Sequence, residues 1–590
     1  MQIPTTAKKR LDVTEFAKDK YGLLKDYELK IIKNKKLLFF ILSVLMGLIL
    51  LSAAIYVSVN TNYQLTNDSD AIIYPYLFKH FTLNNIILPG HHSNVLLFPL
   101  YLIQGLLPYN YATFSAVTIS LTIVTIALWT FFTTFIVGKK YFPVVCASLT
   151  LFLIASPTLV SSMTGNTIRN IEYPIGLAFL LSIAWIIKDR LKTWQKIVAV
   201  LSSILLCLAL AGDELVLFCF IIPIILSIIL YILKGHKINR RLFLSLSLVG
   251  GVFLFSFILN DLIQHVGIAD YYYAAVFSPH TVPLNELSFS FTTATRQLLK
   301  LTGANIFGLP KISSGTIILF VNFALLASAV MGFCILLKQS LFDRKKENFE
   351  VKDLILVALA ISFFLIFGVY ILSGQVVHLT PSGTLVSSSQ FRYMSLMPLL
   401  AIIGIVYLFK QLFKRLDLLI VGFSILSIII MGISLPYISK NESSLNNKTA
   451  NARNVINEII NTSAHNHVNF LLTGYWYGAT TRFWSNDTVK TASVAQCNVA
   501  SPTFNTSLSW YKPLTTVTRS ALVIDRSGPD IGYWLGCSSN QIKAIYGKPA
   551  KIVYLNGVNA NNTPVKNSIE YWIYNYNVMS KVNSSDLINI

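Results

Sequence analysis

Long apolar runs separated by short polar breaks organise the first three quarters of the chain. Many windows reach the ~20 apolar residues that span a bilayer core. Reading them between the breaks predicts about eleven transmembrane helices, near 37–59, 111–137, 143–163, 174–187, 197–212, 215–233, 242–260, 316–338, 354–373, 394–409 and 417–435. The first follows a long charged leader and reads as a retained anchor rather than a cleaved signal peptide. Residues 94–108 are apolar but short and Pro-bounded, which predicts a helix lying in the interface with Tyr101 and Tyr109 at headgroup depth. A later loop carries Tyr271, Tyr272, Tyr273 and the stretch Phe289 to Phe291, which suits a second interface-seated element.

From Pro436 onward the pattern changes. Asn, Ser and Thr rise, and the apolar runs shorten to strand length between Gly/Asn turns. Strands are expected at 468–472, 521–524, 551–555 and 569–574, with a helix over 451–460 leading into the first. The expected fold is a polytopic α-helical membrane protein with a C-terminal extracytoplasmic α/β domain. Its parts are a cytoplasmic leader (1–36), a transmembrane domain (37–435, exterior loops 60–110 and 261–315) and an α/β domain (436–590), the last of ordinary domain size.

Composition agrees: 54% hydrophobic and 12% charged residues exclude an ordinary soluble protein. A net charge of +21 raises the question of nucleic acid. The basic residues, however, cluster in short loops beside apolar segments, as at Lys139-Lys140, Lys188 to Lys196, Lys234 to Arg241 and Lys410 to Arg415. That is the positive-inside pattern of cytoplasmic loops, so the charge is topological and nucleic acid is not the expected partner. An odd number of helices from a cytoplasmic N-terminus places the α/β domain outside the plasma (inner) membrane. Cys497 and Cys537 then lie where a disulfide is permitted. Cys146, Cys207, Cys219 and Cys334 fall in apolar spans and read as buried small hydrophobes.

Five constellations have the residue types for chemistry. Asp68 and Asp70 stand in the first exterior loop; they read equally as helix-capping residues and as functional acids, and desolvation at an apolar border raises a carboxylate pKa toward that of a general base. Arg169 and Glu172 occupy the turn between the third and fourth spans, either as a local ion pair capping the fourth helix or as a second acid facing the same cavity. Gly212-Asp213-Glu214 reads better as a tight solvated turn than as a charge site. Arg392-Tyr393 opens the tenth span, and Arg suits a lipid phosphate as well as it suits interfacial snorkelling. His91-His92, with His80 upstream, suit polar contacts to a substrate better than metal ligation; a divalent metal at Asp68 or Asp70 stays open, with no spacing that demands it. No Walker loop, dinucleotide fingerprint, Gly-x-Ser-x-Gly or His-Glu-x-x-His occurs. With no nucleotide-using cytoplasmic domain, any donor reaches the site through the membrane.

Taken together, Asn67-Asp68-Ser69-Asp70-Ala71 after the first helix, Leu97-Phe98-Pro99-Leu100-Tyr101 in the same loop, a long later exterior loop and Arg392-Tyr393 before a late helix resemble the GT-C superfamily of integral-membrane glycosyltransferases. The resemblance is to bacterial members akin to protein O-mannosyltransferases and aminoarabinose transferases, and it covers roughly 37–435. It implies a GT-C-like helical arrangement and sugar transfer, with inversion, from a polyprenyl-phosphate donor to an extracytoplasmic acceptor. On that template Asp70 is the favoured base, Asp68 the next, and Arg392 holds the departing phosphate with Arg169 or Lys300. The family's paired Asp-Glu is Asp-Ser-Asp here, which leaves open which acid corresponds. Two readings compete: a transporter or flippase of lipid-linked sugars, and a non-catalytic envelope-assembly protein. The first predicts related halves and mid-membrane ionisable groups, which the chain does not display.

Overall fold

The computed structural model describes residues 13–65, 69–79, 86–87, 94–156, 159–160, 171–188, 191–265, 281–307, 309, 313–343, 349–373, 377–379, 385–387, 391–413, 416–495, 497–500, 506–511, 518–526, 537–559 and 562–582. Its helices, in chain order, begin with α1 (Val13–Leu65), α2 (Ser69–Lys79), α3 (Asn94–Gly105), α4 (Tyr111–Val137), α5 (Phe142–Ala155) and α6 (Glu172–Lys188). They continue with α7 (Thr193–Gly212), α8 (Leu217–Leu233), α9 (Arg240–His265), α10 (Leu287–Leu301), α11 (Ile317–Lys338), α12 (Val351–Leu372), α13 (Leu396–Leu412) and α14 (Leu416–His465).

A helix occupies at least part of each predicted apolar interval, but the one expected over 143–163 ends at Ala155, where Ser156 leaves the helical conformation. Among the described residues, 7 helices are long and apolar enough to cross a membrane: those containing Leu37–Gln64, Tyr111–Val137, Thr193–Gly212, Arg240–Ile263, Ile317–Phe342, Val351–Leu372 and Asp417–His465. The remaining bundle helices α5, α6, α8 and α13 are shorter. The local chemistry explains the boundaries. Asn110 Oδ1 accepts from the Thr113 amide (3.0 Å) and so starts α4. Gly138, with a φ of 109°, ends it in a conformation that favours glycine. Inside α4, Thr118 donates its hydroxyl to the Phe114 carbonyl (2.8 Å) and Thr122 donates to the Thr118 carbonyl (2.8 Å). These bonds satisfy groups that apolar surroundings would strand. The outer face of α4 presents Phe131 at 59% and Phe135 at 41% exposure. Such exposure is tolerable where lipid rather than water is the solvent.

α11 and α13 approach backbone to backbone. A Cβ at Gly332 would overlap the Gly404 carbonyl oxygen, and one at Gly404 would lie 2.6 Å from the Ala329 oxygen. Small residues here let two backbones touch, the usual basis of helix association in lipid. Gly404→Leu is therefore expected to cost about 1–3 kcal/mol by overpacking, read as a lowered melting temperature in detergent; an unchanged melt would show that the contact is not tight.

The strands in chain order are β1 (Ile86–Ile87), β2 (Val377–Leu379), β3 (Leu385–Ser387), β4 (Phe470–Thr473), β5 (Lys490–Ala495), β6 (Val499–Ala500), β7 (Thr506–Ser507), β8 (Ser520–Asp525), β9 (Lys551–Val558) and β10 (Pro564–Tyr574), and the C-terminal part is a six-stranded mixed sheet in the order β6-β5-β4-β8-β10-β9. β5, β4 and β8 run parallel, while β10 pairs antiparallel with β8 and β9. The four predicted strand cores fall on β4, β8, β9 and β10. β5, β6 and the helices α15 (Tyr475–Trp484) and α16 (Ser539–Tyr546) were not expected from the sequence. One sheet face packs on Val455, Ile456 and Ile459. The expected helix over 451–460 is the end of α14, a single 50-residue helix that passes through Pro436. Beside it, α1 donates from Asn60 to Glu442 (3.1 Å) and from Gln64 to Asn446 (3.3 Å). Cys497 and Cys537 form the expected disulfide. Cys146 and Cys219 are buried, but Cys207 is only half-buried and Cys334 is exposed on the outside of α11, contrary to the reading of all four as core.

Candidate functional site

The loop between α1 and α4 is built from two short helices packed on each other. Asp70 lies in the first turn of α2, where a helix N-terminus favours an acid. One turn on, Tyr74 stacks on Tyr101 of α3 (centroids 4.7 Å apart, 7° between planes), and Phe78 packs on Tyr101 and Phe98 (both 5.2 Å). Gly105 makes the crossing feasible, since a Cβ there would sit 2.7 Å from the Phe78 backbone carbon. α3 buries Leu96, Leu97 and Tyr101 and exposes Leu102 and Ile103, with Leu106 exposed just past its end, in keeping with a helix lying on an apolar surface. The expected headgroup position of Tyr101 and Tyr109 is not what the structure has. Tyr101 is fully buried against α2, and Tyr109 packs on Tyr76 and Phe483 beneath the α/β domain.

Glu172 is the first residue of α6 and is fully buried. Burial pushes the Tyr101 phenol well above its ordinary range, and the nearby Tyr74 and Glu172 charges push it the same way. Glu172 thus lies within electrostatic reach of the α2–α3 stack. Its neighbour Tyr173 shares a buried hydrogen bond with Ser395 (2.6 Å), the residue after the turn Phe391–Met394 that contains Arg392 and Tyr393. Tyr393 is within electrostatic reach of Tyr370, whose hydroxyl donates to Gln297 of α10 (2.6 Å). Lys300, one turn further along α10, is exposed, and its carbonyl accepts from Ser156 (3.3 Å). On another face of α10, Arg296, Thr292, Thr295 and Asn305 line a 570 Å³ pocket walled by Phe291 and Phe307.

The structure therefore gathers Glu172, Tyr173, Ser395, Tyr393 and the α2–α3 pair at one end of the bundle. Asp68, Arg169, His80, His91, His92 and the Tyr271 to Tyr273 stretch lie outside the described residues, as do the side chains of Asp70 and Arg392. Asp213 forms the expected turn by accepting from the Leu215 amide (2.9 Å), but it is buried rather than solvated. Among the described residues no three His, Cys, Asp or Glu side chains are grouped as metal ligands.

Sequence reasoning missed the residues that close this end. Arg482 of α15 is 2% exposed and donates from Nη1 to the Tyr76 hydroxyl of α2. The same nitrogen pairs with Asp487 (3.2 Å), while Nη2 and Nε donate to the Thr491 carbonyl (2.6 Å) and hydroxyl (3.0 Å). The guanidinium lies over Trp510 (4.4 Å) and Tyr76 (4.9 Å), the geometry of a cation–π contact. Backbone pairing of β1 (Ile86–Ile87) with β7 (Thr506–Ser507) adds a second tie between loop and domain. The available signal was Arg482 itself, the sole charged residue between Asn469 and Asn486. Burial, with Asp487's charge adding and Arg482's opposing, pushes Tyr76 up from 10.0 to about 12. A phenol whose folded pKa is raised favours the folded, neutral form. Docking is thus at full strength below pH 10 and is lost as the pH rises through about 12. Alkaline release of the loop, followed by limited proteolysis, is expected in wild type; if Tyr76→Phe shows the same loss over that window, Tyr76 is not its source.

Fold and site define a class: a helical bundle with apolar helices of membrane type, capped at one end by an α/β domain that grips the loop between α1 and α4. No protein-family model matches the chain, and no curated protein matches it significantly.

Proposed function

We propose that the protein is a membrane glycosyltransferase that moves a sugar from a polyprenyl-phosphate donor to an extracytoplasmic acceptor with inversion. On this reading all eleven apolar helices cross the plasma (inner) membrane, and the α/β domain stands outside. The observation that carries the proposal is the convergence of the Asp70-bearing helix, buried Glu172 and the Arg392-Tyr393 turn at the end of the bundle covered by that domain. Displacement at the anomeric carbon develops oxocarbenium character. Asp70 takes the acceptor proton as the new C–O bond forms, and the bond to the lipid phosphate breaks with its electron pair. Arg392, with Arg169 or Lys300, stabilises the departing phosphate. Glu172, within electrostatic reach of the Tyr101–Tyr74 stack, is the second acid facing the same cavity.

The test is an incubation of the full chain in detergent, and separately in sealed vesicles, with radiolabelled polyprenyl-phosphate sugars. Covalent transfer to an acceptor or to water supports the proposal. Movement of intact lipid-linked sugar across vesicles without transfer overturns it in favour of a flippase.

A further inference from the structure

The opposite end of the bundle holds a larger cavity that the proposed chemistry does not use. Tyr111, at the start of α4, stacks on Trp484 of the α/β domain with centroids 5.8 Å apart. Phe135 lies roughly 36 Å further along the same helix, at a rise of about 1.5 Å per residue. There the ends of α4, α6 and α8 and the start of α12 surround a cavity of 870 Å³. Its chemistry is divided. Leu181, Ala184 and Ile355 form an apolar floor; Trp185, Tyr231 and His236 form the walls; Lys188 and Lys352 stand on the rim with one acid, Glu350. His236 lies flat on Tyr231 (3.8 Å, 8°), and Trp185 packs edge-on to Phe135 (5.7 Å) and Trp194 (5.1 Å).

Three features favour an anionic amphiphile over a soluble anion. Trp185, Trp194 and Tyr231 form the aromatic belt that marks headgroup depth. The two lysines lie at that depth, beside the N-terminus of α12, whose amides are already capped by Glu350 and Asp353, so the lysines carry the positive charge. Directly below them the wall turns apolar, which a free anion leaves unused and a glycerol backbone with its first methylenes fills. Other cations nearby are engaged elsewhere: Lys234 donates to the Leu341 carbonyl (2.9 Å) and Arg241 to the Lys188 carbonyl (3.1 Å). Basic pockets between helices on the cytoplasmic side are suited to phospholipid headgroups, and the volume falls in the range of small-molecule sites. We propose that this cavity binds the phosphate headgroup of one anionic phospholipid of the cytoplasmic leaflet, independently of the glycosyltransferase reading.

Native mass spectrometry of the delipidated full chain tests this with dioctanoyl phosphatidylglycerol, dioctanoyl phosphatidylcholine and inorganic phosphate as separate probes. Phosphatidylglycerol is expected to bind at one equivalent in preference to both others. Each lysine near the headgroup contributes a factor of about five, so Lys188→Gln with Lys352→Gln is expected to weaken phosphatidylglycerol about 25-fold. Lys139→Gln with Lys140→Gln, at the same end but off the cavity rim, is expected to leave it unchanged. Equal binding of the two lipids overturns the proposal, as does equal binding of inorganic phosphate. An equal loss in the Lys139/Lys140 variant also overturns it, since it assigns the preference to the charge of the whole face.

Discussion

Asp70→Asn is expected to lower sugar transfer by about 10²–10⁴-fold, the usual contribution of a positioned general base, with helical content and melting temperature unchanged. Three observations lead there. Asp70 lies in the first turn of α2, the helix is fixed one turn later by the Tyr74–Tyr101 stack, and the stack is within electrostatic reach of the buried Glu172. Asparagine keeps the volume and hydrogen-bonding capacity but cannot accept the acceptor proton. Asp68→Asn, measured beside it, discriminates between the acids: the larger kcat loss identifies the base. Wild-type turnover in both variants would remove the carboxylate base from the mechanism. A change in melting temperature without loss of kcat would reassign Asp70 to capping.

Arg482→Met carries the largest expected stability effect. Methionine keeps the apolar stem over Trp510 but removes every donor of the guanidinium, leaving the Thr491 carbonyl without its Nη2 donor and the Tyr76 hydroxyl and Asp487 carboxylate with only their mutual 3.3 Å hydrogen bond. Breaking a buried pair by deleting one partner costs about 3–5 kcal/mol. The 28% exposure of Asp487 places this pair toward the lower figure. Tyr76→Phe, which removes one neutral hydrogen-bonding group, is expected to cost about 1 kcal/mol. The double variant should then cost less than the sum, because the two share one contact. Thermal unfolding in detergent and limited proteolysis of the α15–β5 segment read the effect. A wild-type melt for Arg482→Met would mean that the loop and the domain are not held together by this cluster.

Apolar segments of the bundle were legible because their ends carry local signals. α4 runs over the expected 111–137, bounded by a capping Asn110 and by Gly138. β4, β8, β9 and β10 were legible as short apolar runs between turns. What stayed hidden was long-range. Arg482 finds Tyr76 across 406 positions, and no local pattern encodes such a pairing. Tyr109 reads as a membrane anchor because its amphipathic ring suits an interface equally well when the interface is another domain. The composition shift at Pro436 marks where the surroundings of α14 change, not where its backbone does, so a boundary in chemistry was read as a boundary in structure. Of the site, Glu172 and the Arg392-Tyr393 turn could be named from sequence, but the Tyr74–Tyr101 stack and the Tyr173–Ser395 bond that relate them could not.

The continuity of α14 fixes the angular phase of the α/β domain. Its 50 residues, continuous through Pro436, have a helical contour of about 75 Å. Each residue inserted between its apolar half and its sheet-bearing half would therefore turn the domain by about 100° and lift it by about 1.5 Å. One added alanine would swing Arg482 away from Tyr76; about seven, close to two full turns, would bring the azimuth back while leaving the two about 10 Å apart. The domain's grip on the first loop is thus indexed by helix length counted in whole turns. Deletions in the Asn-rich stretch of α14 should be tolerated according to their rotation rather than their chemistry.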